Sequence, residues 1–93
     1  MVVVACSPSP QRLTSTPEEW ALEKQILRLE KRTSKNPTWY EPYLLRGQAH
    51  YTLGQYREAL ENFDMVMELK PQSVIGQYNR AMTYINMGEQ IAA

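Results

Sequence analysis

The chain has 93 residues and carries ten basic and ten acidic side chains, so its formal net charge is zero. This balance excludes the strong positive field of most nucleic-acid binders and anionic-membrane binders, and so short a chain makes one domain or part of one. A single cysteine, Cys6, excludes an internal disulfide, and no apolar run reaches the roughly 20 residues that span a bilayer.

Residues 1–16 are predicted to be a disordered arm or tether, because they are rich in Ser, Thr and Pro. Cys6 follows two valines and an alanine, a pattern that resembles the lipobox of bacterial lipoproteins and would make Cys6 a lipidation site. The segment before Cys6 is too short for the basic and apolar regions of a signal peptide. As written, the chain is therefore expected in the cytoplasm with Cys6 as an exposed thiol. If the reading frame starts upstream of Met1, the bacterial cell envelope is expected instead.

The first predicted helix covers residues 17–34. Thr16 is a candidate N-cap, Pro17 suits the first helical position, and Glu19 would complete a Thr-x-x-Glu capping box. Asn36 and Pro37 end the helix, because the residue before a proline avoids helical backbone angles. The apolar positions with helical spacing are Leu22, Ile26 and Leu29.

Three more helices are predicted over residues 41–53, 56–69 and 74–87. Gly54 is expected to end the second helix in a left-handed conformation, Pro71 closes the third, and Gly88 ends the fourth. A fifth helix would begin at Gln90. No strand pattern occurs, so the predicted fold class is all-α. The residues of the third helix that are expected to face inward are Ala59, Leu60, Phe63, Val66, Met67 and Leu69.

The helical part of the chain repeats itself with a period of 34 residues. Repetition at a period of this length is typical of solenoid proteins, in which each repeat is one supersecondary unit. Small residues at the repeated positions allow two paired helices to approach closely. The aligned pairs are Pro37 and Pro71, Arg46 and Arg80, Gly47 and Ala81, Gly54 and Gly88, and Ala59 and Ala93.

Residues 37–93 resemble the tetratricopeptide repeat family. The resemblance implies an α–α superhelix of antiparallel helix hairpins, with a full unit at about 40–73, a partial unit at 74–93 and a degenerate helix at 17–36. In the degenerate helix, Gln25 replaces the small residue equivalent to Ala59. The pattern that carries the resemblance is Tyr43-x2-Arg46-Gly47-x2-His50, Gly54-x-Tyr56-x2-Ala59-x3-Phe63 and Pro71.

In this family the first helices of successive units line a concave groove that holds a peptide or a partner helix. Its counterpart here would be apolar, aromatic and nearly uncharged, which favours an apolar helix or an extended segment as the ligand. Some members clamp a terminal carboxylate with lysines, an arginine and asparagines, and here only Asn79 occupies a matching position. The groove residues carried over by register are Leu44, Gln48, Tyr51, Tyr78, Asn79, Met82 and Ile85, with Asn86 at the edge.

Other features predict no chemistry. His50 lacks acidic or cysteine partners on its helix, so local packing or pairing is expected. The basic residues of the first helix alternate with Glu23 and Glu30, which is typical of a solvated face. Cys6 and His50 are too few soft ligands for a structural zinc site. No cofactor and no nucleic-acid partner are predicted.

The predicted function is a non-enzymatic protein–protein interaction module that binds a partner peptide or helix in its groove. Two alternatives remain open. One is a structural protein that self-assembles, because the groove residues could instead pack on each other, on the first helix or on a second copy. The other is a bacterial envelope lipoprotein assembly factor tethered through Cys6, the one case that would involve a membrane.

Overall fold

The computed structural model describes residues 16–92 of the chain. These residues form four helices and no strand: α1 (Pro17–Lys35), α2 (Tyr40–Thr52), α3 (Tyr56–Leu69) and α4 (Val74–Ala92). The all-α prediction is confirmed, and three of the four predicted helices agree with it to within one residue at each end. The predicted arm and Cys6 lie outside the described residues.

Helix α1 begins with the capping box that its sequence predicts. The Glu19 backbone N–H donates to Thr16 Oγ1 at 3.1 Å, and the Thr16 backbone N–H donates to Glu19 Oε1 at 3.0 Å. Two backbone donors that have no partner within the helix are thereby satisfied. At the other end, the Asn36 N–H donates the last bond, to the Arg32 carbonyl at 2.9 Å, and the backbone of Asn36 leaves the helical region just before Pro37.

Helices α2 and α3 form a hairpin around Gly54. This glycine has φ 79°, the left-handed conformation that was predicted for it. Its N–H donates to the Tyr51 carbonyl at 2.9 Å, and the Gln55 N–H donates to the His50 carbonyl at 2.9 Å. These two bonds make a Schellman motif, which ends α2 and turns the chain back on itself.

The core lies between successive helices. Helix α2 packs on α1 and α3, α4 packs on α3, and α2 and α4 share a smaller contact. Of the predicted inward-facing residues of α3, three are fully buried and the other three are partly buried. The side chains that form the apolar core are Ile26, Leu29, Tyr43, Ala49, Ala59, Phe63 and Val66.

Helix α4 corrects two predictions. It runs without interruption through Gly88 to Ala92, so Gly88 does not end it and no fifth helix starts at Gln90. Gly54 adopts its turn because α3 follows and packs back against α2. In α4, helical hydrogen bonding continues through Gly88 despite the modest helix penalty of one glycine.

Candidate partner-binding surface

The three groove residues predicted on α2 share one face of that helix, since Leu44, Gln48 and Tyr51 are spaced four and three residues apart. All three are partly buried. Leu44 lies in a shallow pocket of about 320 Å³, and Gln48 lies in a neighbouring pocket of about 170 Å³. Both pockets lie between α1 and α2, and Leu45 lines both of them. This part of the predicted groove is therefore an indented surface that another chain could contact.

Tyr51 connects α2 to two other helices. Its hydroxyl accepts a hydrogen bond from Asn86 Nδ2 of α4. Its ring packs edge-on against Tyr56 of α3, with the ring centroids 5.3 Å apart and the planes 64° apart. Asn86 also donates to the Met82 carbonyl at 3.1 Å. Tyr51 thus helps to hold α2 and α4 together, in addition to lying on the predicted groove.

The predicted residues on α4 are the more exposed half of the surface. Tyr78 is 64% exposed and Ile85 is 56% exposed, whereas Met82 and Asn79 are partly buried. Tyr78, Met82 and Ile85 are spaced four and three residues apart, so they form one stripe along the helix. Asn79 lies at the side of this stripe, and its backbone carbonyl accepts a hydrogen bond from the buried Thr83 hydroxyl at 2.7 Å.

Two exposed apolar residues of this surface were not predicted from the sequence. Ile75 is 56% exposed and lies three residues before Tyr78, so it extends the α4 stripe towards the start of the helix. Leu45 is 41% exposed and lies between Leu44 and Gln48 on the α1 side. The spacing of Ile75, Tyr78, Met82 and Ile85 was a sequence signal that could have revealed the first of these. Nothing in the sequence separates Leu45 from a core leucine.

A partly buried polar network connects three helices. Arg46 Nε donates to Asn62 Oδ1 at 2.6 Å, and Arg46 Nη1 donates to Thr33 Oγ1 at 3.4 Å. Asn62 and Thr33 then donate to the carbonyls of Glu58 at 2.8 Å and Glu30 at 2.9 Å. The arginine therefore joins α1, α2 and α3 through hydrogen bonds.

His50 has a structural partner. His50 Nδ1 lies 2.7 Å from Gln55 Oε1, which is the local pairing expected for it. Within residues 16–92, no three His, Cys, Asp or Glu side chains lie close enough to hold a metal ion together. None of the described helices is both long enough and apolar enough to cross a membrane.

Residues 40–73, the α2–α3 hairpin with the loop that follows it, match the family model described as Tetratricopeptide repeat. This segment of the chain is a tetratricopeptide repeat. The matched segment contains the Gly54 turn and the close contact of Gly47 with Phe63. No solved structure matches the chain significantly.

The general role of tetratricopeptide repeats is protein–protein interaction, without catalysis by the repeat itself. The apolar stripe on α4 and the indented face of α2 are surfaces of the kind that such a role needs. Both lie on helices that α3 positions, because α3 packs against each of them.

Proposed function

We propose that this protein binds an apolar helix or extended segment of a partner protein. The ligand would lie along the α4 stripe and extend over the face of α2 that carries Leu44, Gln48 and Tyr51. The observation that carries the proposal is the exposure of three large apolar side chains, Ile75, Tyr78 and Ile85, in one line on α4. The proposed role needs no cofactor and includes no catalytic step.

Burial of a few of these apolar side chains would supply much of the binding free energy. Complete burial of one large apolar side chain is worth about 1.5–3 kcal/mol. Tyrosines at the centre of an interface are often among the residues that dominate its affinity. Met82, the partly buried member of the stripe, has a flexible side chain that can adapt to different ligand shapes.

The test uses peptides selected by display against the full chain, with affinities measured by isothermal titration calorimetry. Replacing Tyr78 and Ile85 together with alanine should weaken binding at least about tenfold, since two exposed anchors are removed. Tyr84→Ala is the matched control, because Tyr84 is on the same helix and 53% exposed but lies outside the stripe. Equal losses in both variants, or no loss in either, would refute the groove proposal.

The role of Tyr51 in binding should be tested with a substitution that removes fewer atoms than alanine does. Replacing Tyr51 with alanine would also remove its contacts with Asn86 and Tyr56. Tyr51→Phe keeps the ring contact and removes only the hydroxyl. A change in peptide affinity with unchanged thermal stability would then report on recognition and not on the packing of α2 and α4.

Self-association is a second candidate, and a specific observation favours it. Val74 and Tyr84 are exposed in addition to the stripe, so apolar side chains occur around much of α4. Patches of this kind often mark contacts between proteins. Static light scattering over a range of concentrations tests this idea, and a constant monomer mass at the highest concentration would rule it out.

Tethering of an envelope assembly factor through Cys6 stays a prediction from the sequence alone. An in-frame basic and apolar stretch in the DNA upstream of Met1 would support it, and a stop codon there would end it.

A further inference from the structure

The outward face of α1 combines exposed apolar side chains with lysines, and it is not part of the proposed groove. Five residues occupy an arc of about 80° on this helix, opposite the buried Ile26 and Leu29. Two of them are large apolar side chains, with Trp20 51% exposed and Leu27 61% exposed. The other three are exposed lysines. The complete set, called here the α1 face, is Trp20, Lys24, Leu27, Lys31 and Lys35.

A pocket lies beside the apolar end of the α1 face. Its volume is about 380 Å³, which is enough for one large side chain, and it reaches from α1 to the end of α2. Lys24 Nζ lies 4.8 Å from the centre of the Trp20 ring, so a cation–π contact orients the indole at the pocket wall. The residues that line the pocket are Trp20, Glu23, Lys24, Ile26, Leu27, His50 and Gln55.

Charge is distributed unequally along α1. Residues 24–35 contain five basic side chains and one acidic side chain, Glu30. The corresponding positions of α3, 34 residues later, carry Glu58 in place of Lys24 and Glu61 in place of Leu27. The basic and apolar character is therefore particular to α1, since the repeat pattern does not demand it. A positive surface of this kind complements an acidic ligand.

We propose that the α1 face docks an acidic, amphipathic segment of a partner protein. A bulky apolar side chain of that segment fills the pocket between Trp20 and Leu27, and its carboxylates pair with Lys24, Lys31 and Lys35. This surface is on a different helix from the α4 stripe, so the protein would hold two partner segments independently.

A protein ligand fits the α1 face better than a polyphosphate or an anionic membrane does. Glu23 and Glu30 lie along one edge of the face, where they would repel a ligand whose negative charge is evenly distributed, such as a nucleic-acid strand or an anionic bilayer. An acidic peptide can place uncharged residues opposite them. The pocket also selects one side chain at one position, which is how peptide ligands achieve a defined register.

The test uses a fluorescein-labelled peptide of about 15 residues, with glutamates every three or four positions and one central phenylalanine. Fluorescence anisotropy with the full chain should show saturable binding that weakens several-fold when NaCl rises from about 50 to 300 mM. The same peptide with alanine in place of the phenylalanine should bind at least about tenfold more weakly, since the pocket is left empty.

Variants of the chain assign the contact to the α1 face. Leu27→Ala, and Lys31→Glu combined with Lys35→Glu, should each weaken binding at least about tenfold. Arg57→Glu, an exposed basic residue of α3, is the control for charge. The Tyr78 and Ile85 double alanine variant should bind the acidic peptide normally, which keeps this result separate from the groove proposal. All these changes are on the surface, so circular dichroism should be unchanged.

Several outcomes would overturn the proposal. One is the absence of saturable binding, and another is binding that Leu27→Ala and the lysine reversals leave unchanged. Tighter binding of a uridine 15-mer, or of vesicles containing phosphatidylserine, would assign the α1 face to a nucleic acid or a membrane. A doubling of mass in light scattering that the lysine reversals abolish would assign it to a second copy of the chain.

Discussion

Arg46 and Arg80 show how one residue type acquires two roles at equivalent positions of a repeat. Arg46 is partly buried and donates hydrogen bonds to Asn62 and Thr33. Arg80, one period later, makes a half-exposed ion pair with Asp64 at 3.4 Å. The difference arises because Arg46 lies between α1 and α3 and bonds to both, whereas Arg80 pairs with the exposed Asp64 of α3. The repeat fixes the position of the side chain, and its neighbours determine its energetic contribution.

Arg46→Ala should lower the free energy of unfolding by about 1–3 kcal/mol, since it leaves the side-chain oxygen Oδ1 of Asn62 without its donor. Arg80→Ala should cost less than about 1 kcal/mol, because water replaces an exposed ion pair easily. Urea unfolding followed by circular dichroism measures both values. Equal losses for the two arginines would show that the Arg46 network does not stabilise the fold.

At the scale of elements, the close approach of α2 and α3 depends on Gly47. A Cβ atom at this position would lie 2.5 Å from Phe63 Cε1 and 2.8 Å from Cδ1, and Phe63 is completely buried. The ring cannot move away without opening the core, because protein interiors are closely packed. The α2–α3 hairpin is therefore held at a distance that only glycine permits.

Gly47→Ala should destabilise the protein by about 1–3 kcal/mol, since it overpacks the contact with Phe63. Gly88→Ala is the matched control, because Gly88 is also helical but has no atom within 4 Å of an added Cβ. There, alanine should raise stability by up to about 1 kcal/mol through its better helix propensity. Thermal unfolding of both variants measures these changes in stability. If Gly47→Ala were more stable than the original chain, the tight contact between Gly47 and Phe63 would be refuted.

The sequence predicted these elements well where the signals are local. The Thr16 capping box and the Gly54 turn depend on residues within a few positions of each other, and both were confirmed. Gly88 was predicted wrongly because a glycine is also tolerated inside a helix at a modest cost in propensity, and α4 continues through it to Ala92. A glycine alone therefore does not fix the end of a helix, whereas at Gly54 the positive φ and the two Schellman hydrogen bonds do.

At the scale of the whole molecule, the four helices form a flat, elongated body of 52 × 34 × 17 Å. Its radius of gyration is 15.0 Å, against about 12 Å for a compact domain of this length. Each helix packs mainly on its neighbours in sequence, as in other helical repeats. Helices α2 and α3 are each covered on two sides, whereas α1 and α4 each have one main neighbour.

Amide hydrogen exchange should follow this arrangement. Amides around Ala49, Ala59 and Phe63 should exchange at least about tenfold more slowly than those of the second half of α4, because local opening needs less free energy where fewer contacts break. Mass spectrometry of peptides from the exchanged protein measures this. Uniform protection along all four helices would mean that the fold opens only as one cooperative unit.

The sequence by itself determined the fold class, the caps, the Gly54 turn and the period of the repeat, because these depend on backbone preferences and on spacing along one chain. It also indicated the residues of the candidate groove, whose role in binding remains a proposal. Tertiary structure alone decided that Arg46 bridges three helices, that Tyr51 contacts α4, and that Trp20 and Leu27 border a pocket. These features depend on side chains that are distant in sequence and meet only when the helices pack.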